Sequence, residues 1–205
     1  MQTILAVAAS RAIHYLETIQ DRPVAPSPEA VAALRALDEP LPAGPTDPAA
    51  TLRLLDEVGS PATMGMAGPR FFGFVIGGSL PVTLGANWLA GAWDQNAVLY
   101  RASPATAHVE QVALRWLLDV LQLPPTATGA FVTGATIANL SALAAARHAV
   151  LKRAGWNVEA QGLFGAPPIT VIVGEEVHPS VTKALGVLGL GRNRVVKIPA
   201  DRQGR

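Results

Sequence analysis

The chain has 205 residues, of which 50% are hydrophobic and 15% charged, with a net charge of +1 and no cysteine. This composition can bury a sizeable core in one domain or two, and it excludes a disulfide framework, a thiolate metal site and the basic surface that a nucleic-acid partner requires. Because cysteine-free composition suits a reducing compartment, we expect a cytoplasmic protein.

The first part of the chain predicts helices joined by proline-rich loops. Residues 1–10 are apolar but lack the positively charged segment of a signal peptide, so they predict an ordinary helix. Two further helices are predicted at Ser27-Pro28 and Asp47-Pro48, where a capping residue precedes a proline in the first turn. These features favour a helical arm over residues 1–79.

The next segment raises the question of a membrane span. Residues 71–93 contain no charged side chain, but five glycines, Pro81 and Asn87 interrupt them, so no spanning helix is expected. A further helix is predicted at Ser103-Pro104, and Leu123-Pro-Pro ends it. We expect one face of this helix to pack on a core, because apolar residues recur at helical spacing: Val109, Val112, Ala113, Trp116, Leu117 and Val120.

Beyond Pro125 short apolar runs alternate with helical stretches. The runs 130–133, 169–173 and 194–198 predict strands. Strands that alternate with helices are typical of strand-helix-strand units in a largely parallel sheet, so the predicted fold class is α/β.

Small residues occupy the turn between the first of these runs and the following helix. At Gly134, Ala135 and Thr136 the backbone can approach a ligand closely, and free N–H groups at the positive end of the helix dipole would face a phosphate. The Thr136 hydroxyl adds a donor. The same residues are also typical of a plain connector between a strand and a helix.

A histidine follows the second predicted strand. His178 lies just beyond residues 169–173, where open α/β sheets place residues that contact ligands. A histidine there suits stacking on a planar cofactor or proton transfer, and a solvated loop histidine before a helix at Pro179 fits equally well. Glu175 and Glu176 offer carboxylates, but no second cluster has ligand spacing, so no metal is expected.

Together these residues resemble the pyridoxal-phosphate-dependent group II decarboxylases, the family of aromatic-amino-acid and glutamate decarboxylases. The resemblance extends from about Pro69 to the last residue, with a fainter match for the N-terminal helices. Four segments match in kind and in order: Pro69-Arg-Phe-Phe-Gly-Phe74, Ser103-Pro104 with Glu110 following, Gly129 to Arg147, and the strand leading into His178.

The resemblance implies a fold-type I enzyme that uses pyridoxal 5'-phosphate to decarboxylate an amino acid. In such an enzyme Gly134, Ala135 and Thr136 would hold the cofactor phosphate. His178 would stack on the pyridine ring as a catalytic residue, and Phe74 would line the substrate pocket. The protonated ring takes up the electrons that the departing carbon dioxide leaves behind.

The resemblance also implies a domain organisation and exposes a departure from the family. Residues 1–79 would wrap the partner subunit of a homodimer, and residues 80–205 would form the first part of the large cofactor-binding domain. The family holds its cofactor as a Schiff base on a lysine directly after a histidine, and no such pair occurs at Lys152, Lys183 or Lys197. We therefore expect a chain that stops before the catalytic lysine, is inactive alone, and acts as a homodimer or with a complementing C-terminal half.

Two other functions fit the same residues. One is a non-catalytic remnant that acts as an interaction module. The other is a pyridoxal-phosphate-dependent fragment whose reaction is transamination or aldol-type cleavage, since these reactions share the fold. Neither the motifs nor their spacing names a particular amino acid as substrate.

Overall fold

The computed structural model describes residues 2–204 and divides into two compact units between residues 95 and 96. The boundary predicted between residues 79 and 80 falls inside the first unit, and as a functional boundary it stays a prediction. None of the helices described is both long enough and apolar enough to cross a bilayer.

The first unit is helical. The predicted helix at the start of the chain and those at Pro28 and Pro48 are confirmed, since Ser27 Oγ accepts from the Ala30 N–H and Asp47 Oδ1 from the Ala49 N–H, each over 3.1 Å. The helices are α1 (Gln2–Glu17), α2 (Pro28–Ala33, followed by a 3₁₀ turn at Leu34–Leu37), α3 (Pro48–Leu54, followed by a π turn at Leu55–Gly59 and a 3₁₀ turn at Ser60–Ala62) and α4 (Pro81–Trp93).

Polar contacts join α1 to the segment after α3. The Arg11 guanidinium donates to Asp56 Oδ2 over 2.5 Å, and Ser60 Oγ donates to Asp56 Oδ1 over 2.6 Å. The hydrogen bond from Ser60 and then that from Arg11 lower the pKa of Asp56. The contact with Arg11 links residues 45 positions apart in sequence, so Asp56 helps to hold α1 against the segment after α3.

The second unit builds a short parallel sheet between helices. Ile172 pairs with Val196 and Gly174 with Ile198, and the two strands are connected through a helix, as predicted for this part of the chain. The elements are α5 (Pro104–Val120), α6 (Ala135–Arg153), α7 (Val158–Gln161), β1 (Ile172–Gly174), α8 (Pro179–Val187) and β2 (Val196–Ile198).

The strand predicted at residues 130–133 is wrong. These residues lead into α6 without strand structure, and β1 and β2 form the only sheet in the described part of the chain. A strand exists only where its backbone pairs with a neighbour. The apolar run has no such neighbour here, so its residue types alone do not make a strand.

The core of the second unit lies between α6 and α8. Leu151 of α6 is 1% exposed and Leu185 of α8 is 0% exposed, and Ala184 and Leu188 are also buried. Packing of these helices fixes where the N-terminus of each one lies.

The prediction that the apolar face of α5, from Val109 to Val120, packs on a core is wrong. The helix begins at Pro104 as expected, but Val109, Trp116 and Val120 are 63%, 70% and 76% exposed. Helical periodicity predicts which residues share an apolar face. Whether that face is buried depends on another element that packs against it. No described element of the second unit covers this face.

Candidate functional site

The N-terminus of α6 leaves backbone donors free. Gly134 is extended (φ 168°, ψ 171°), and its carbonyl accepts from the N–H groups of Ile137 and Ala138 over 3.0 Å. Within residues 2–204 the N–H groups of Ala135 and Thr136 and the Thr136 hydroxyl form no hydrogen bond. A Cβ added at Gly134 would meet nothing within 4 Å. The turn therefore offers two amide donors, a hydroxyl and open space, which together suit an oxyanion.

The second predicted site residue caps a helix. His178 precedes α8, which begins at Pro179 as predicted, and its Nδ1 accepts from the Ser180 N–H over 3.2 Å. Ser180 Oγ lies 2.8 Å from the same nitrogen. The imidazole is otherwise exposed. Histidine is an uncommon N-cap, so its residue type does not predict capping at this position.

Two residues that sequence reasoning missed connect these helix ends. Asn139 Nδ2 in α6 donates to Ser180 Oγ over 2.8 Å, and Ser180 is only 4% exposed. Asn139 stands three positions after Thr136, so both lie on the same face of α6. The bond from Asn139 to Ser180 thus ties α6, which begins after the Gly134 turn, to the N-terminus of α8, which His178 caps. The sequence feature that points to Asn139 is a polar amide in a helix otherwise rich in alanine and leucine.

Phe74 lies in the first unit, in a loop with unusual backbone geometry. Phe74 and Val75 have φ values of 58° and 54°, and the Phe74 side chain is 81% exposed. Left-handed backbone costs a non-glycine residue about 1–2 kcal/mol. Arg70 anchors the start of this segment by donating to the carbonyls of Gln20 and Arg22 over 2.9 and 2.5 Å.

Glu175, one of the two acidic residues near His178, has a structural role. Glu175 Oε1 accepts from the Ala200 N–H over 2.9 Å, and the Glu175 N–H donates to the Ile198 carbonyl over 3.0 Å. These bonds tie the end of β1 to the end of β2. In the part of the chain that the structure describes, no group of three or more histidine or carboxylate side chains could hold a metal.

A separate histidine contact in the second unit involves His148 and Glu159. His148 Nδ1 lies 2.6 Å from Glu159 Oε2, and this hydrogen bond lowers the pKa of Glu159. Both side chains are largely exposed, and neither belongs to the hydrogen-bonded group around Ser180. Nδ1 of His178 therefore faces the Ser180 N–H, whereas Nδ1 of His148 faces the Glu159 carboxylate.

Comparisons with known proteins agree with the residue motifs. Residues 54–205 match the pyridoxal-dependent decarboxylase conserved domain. The chain is 27% identical over 189 residues to the aromatic-L-amino-acid decarboxylase of Bacillus atrophaeus, a match that covers 92% of this chain and 37% of that protein. The chain thus spans about a third of the length of this curated relative.

Solved structures share the backbone arrangement. Mouse CSAD gives a TM-score of 0.87 at 22% identity, with 100% of this chain and 42% of that chain covered. Oryza sativa TDC with PLP and tryptamine gives a TM-score of 0.84 at 23% identity, with 98% and 42% covered. These likenesses confirm the predicted α/β fold of a type I pyridoxal-phosphate enzyme, present here as part of a domain. Because the conserved domain matches most of its residues, the chain belongs to the pyridoxal-dependent decarboxylase family, whose cofactor is pyridoxal 5'-phosphate.

Proposed function

We propose that this chain supplies the phosphate and ring contacts for pyridoxal phosphate in an amino-acid decarboxylase. One observation carries the proposal. The helix whose first N–H groups are free, at Ala135 and Thr136, is tied by Asn139 and Ser180 to the histidine that caps α8. The helix that carries the proposed phosphate donors is therefore bonded to the helix that carries the exposed imidazole at its N-cap.

The phosphate fits the start of α6 on physical grounds. The Ala135 and Thr136 N–H groups and the Thr136 hydroxyl would donate to a phosphate dianion, and the helix dipole would contribute about 0.3–1 kcal/mol. The side of Gly134 where a Cβ would project is empty, so the phosphate can approach the backbone there. The residues present fit this part of the cofactor.

The ring fits His178. Its imidazole is exposed and held in place through Nδ1, which leaves a face free to pack against a pyridine ring. Because these bonds use Nδ1, Nε2 remains available to exchange a proton. When bound, the cofactor acts as the electron sink for loss of the substrate carboxylate.

The substrate class that we propose is an amino acid, with Phe74 lining the pocket that receives it. Support comes from the exposed Phe74 ring and from its left-handed backbone, because backbone strain of this kind is concentrated at functional sites. The chain has no lysine directly after a histidine, since Lys152 follows Leu151, Lys183 follows Thr182 and Lys197 follows Val196. The 205 residues alone are therefore proposed to release no carbon dioxide.

We also propose that residues 1–79 serve as a dimerisation arm. Leu5 and Ile13 of α1 are 61% and 50% exposed. A groove of about 750 Å³ is lined by apolar residues of α1 and α4, among them Leu5, Ala8 and Trp88. An apolar groove of this kind suits a helix of a second subunit.

The proposed activity can be tested in a fusion. Residues 1–205 are joined to the carboxy-terminal remainder of the Bacillus atrophaeus decarboxylase, and release of labelled carbon dioxide is followed over a panel of amino acids. We expect release from at least one amino acid, and none from the unfused chain. A fusion that binds pyridoxal phosphate but only transfers amino groups would contradict decarboxylation and favour a transaminase.

A further inference from the structure

A directed hydrogen-bond chain runs from Asn139 to His178. The amide nitrogen of Asn139 can only donate, so Ser180 Oγ accepts over this 2.8 Å contact. The single hydroxyl proton of Ser180 is then available to His178 Nδ1 at 2.8 Å. The Ser180 backbone N–H, which also only donates, points at the same nitrogen over 3.2 Å. His178 Nδ1 therefore faces two donors.

We infer that Asn139 and Ser180 are positioning residues that hold the His178 imidazole as its Nε2-protonated tautomer with a fixed ring orientation. A nitrogen that accepts from two donors carries no proton of its own, so the proton of the neutral ring resides on Nε2. The role of that orientation in packing a cofactor ring rests on the proposed function. The tautomer itself depends only on these three residues.

Burial makes the arrangement durable. Ser180 is 4% exposed and Asn139 half-buried, so water competes poorly for the bonds between them. A ring flip of His178 would turn a carbon atom toward both donors and lose both hydrogen bonds. Asn139 thereby acts on His178 through Ser180, without touching the ring.

Two other histidines provide internal references. His148 Nδ1 faces the Glu159 carboxylate over 2.6 Å, and because a carboxylate accepts, this Nδ1 carries a proton. His108 is exposed and forms no hydrogen bond within residues 2–204, so it reports an unconstrained ring. The same protein therefore contains opposite tautomers at His178 and His148.

The experiment is nitrogen-15 NMR of the full chain with labelled histidine at about pH 9, well above the usual histidine pKa of about 6.5. We expect the two ring nitrogens of His178 to be split more widely than those of His108, with the proton on Nε2. His148 should show the proton on Nδ1.

Variants test the direction of the chain. Asn139→Asp replaces the donor with an acceptor of the same shape, so the Ser180 hydroxyl turns toward it and away from His178. We expect this variant and Ser180→Ala to move the His178 splitting at least half of the way toward that of His108. Ser180→Thr keeps both donors and should retain the wide His178 splitting. Thr182→Ala removes a hydroxyl of the same helix that bonds to the Pro179 carbonyl, and it should leave the His178 splitting unchanged.

The outcome is decided even where a variant fails to fold. The inference is overturned if His178 in the unsubstituted chain matches His108 or carries its proton on Nδ1, or if both Asn139→Asp and Ser180→Ala leave its splitting unaltered. Addition of pyridoxamine phosphate then separates the two proposals. If the tautomer is as expected but the His178 signals do not respond, the proposed function fails while this inference stands.

Discussion

Asn139 in α6 donates a hydrogen bond to Ser180 in α8 over 2.8 Å. This contact relates two helix ends that are 44 residues apart in sequence, between the Gly134 and His178 caps. Each end alone resembles a common connector. Our proposal is that the two ends, joined through this bond, hold the phosphate and the ring of one cofactor.

Replacing Gly134 should separate binding from folding. Gly134→Ala adds a Cβ where nothing lies within 4 Å, on extended backbone that any residue adopts. We expect affinity for pyridoxamine phosphate to fall about tenfold, or about 1.4 kcal/mol, by calorimetry. Stability should stay the same or rise by up to about 1 kcal/mol. Gly91→Ala, whose Cβ also meets nothing within 4 Å, is the control and should leave affinity unchanged. Equal affinities for the unsubstituted chain, Gly134→Ala and Gly91→Ala would argue against the phosphate site.

Substitutions at His178 should distinguish what its ring contributes to cofactor binding from what its capping bond contributes to stability. His178→Asn retains a side chain that caps helices well, so stability should change by less than about 0.5 kcal/mol, whereas His178→Ala should cost about 1 kcal/mol. Both should weaken pyridoxamine phosphate binding and lower turnover of the fusion enzyme, since neither keeps the ring. Thermal unfolding and calorimetry measure the two effects. Unaltered turnover in His178→Ala would mean that this histidine is only a loop residue.

Asp56 should make the stability of the chain depend on pH. Its pKa is lowered by the hydrogen bond from Ser60 and then by that from Arg11. A carboxyl with a lowered folded pKa stabilises the fold above its unfolded pKa of about 3.9, and this contribution is lost as the pH falls through the folded value.

The corresponding variant is Asp56→Asn. It should lose about 1 kcal/mol of unfolding free energy at neutral pH. The difference from the unsubstituted chain should shrink as the pH falls below about 4 and vanish below the folded pKa of Asp56. Glu57→Gln is the matched control, because Glu57 is 61% exposed and 3.9 Å from Arg11, and it should have little effect. Urea titrations across the pH range measure both. A deficit of Asp56→Asn that is the same in acid and at neutral pH would rule out this linkage.

The exposed stripe of α5 should drive self-association of the isolated chain. Trp116 is 70% exposed, and burying such a side chain contributes on the order of 1.5–3 kcal/mol. We expect Trp116→Glu to raise the association midpoint about tenfold or more in light scattering. Gln111→Glu adds the same charge elsewhere on α5 and should not change the midpoint. Identical behaviour of Trp116→Glu and the unsubstituted chain would exclude the stripe as the contact surface.

Local signals predicted local structure well. Ser27-Pro28 and Asp47-Pro48 marked helix starts because a cap and a proline act within one turn. The strands β1 and β2 were predicted from short apolar runs, although Ile172, Val196 and Ile198 are exposed in the structure. The turn at Gly134 was predicted from small residues before a helix.

Features that depend on distant partners were not predicted. Residues 130–133 have the composition of a strand but no neighbour to pair with. The apolar face of α5 follows from periodicity, whereas its exposure depends on which elements surround it. The bond between Asn139 and Ser180 arises only when α6 and α8 pack, so the sequence of either segment does not predict it.

Amide mapping tests the central claim, that the start of α6 and His178 form one cofactor site. The nitrogen-15-labelled chain is titrated with pyridoxamine 5'-phosphate, an amine that adds to no lysine, and with pyridoxamine, which lacks the phosphate. We predict that the phosphate compound shifts the Ala135 and Thr136 amides and the His178 ring most, and that pyridoxamine leaves the two amides unmoved. Largest shifts around Lys152 or between Arg192 and Lys197, with Ala135 and Thr136 unmoved, would contradict it.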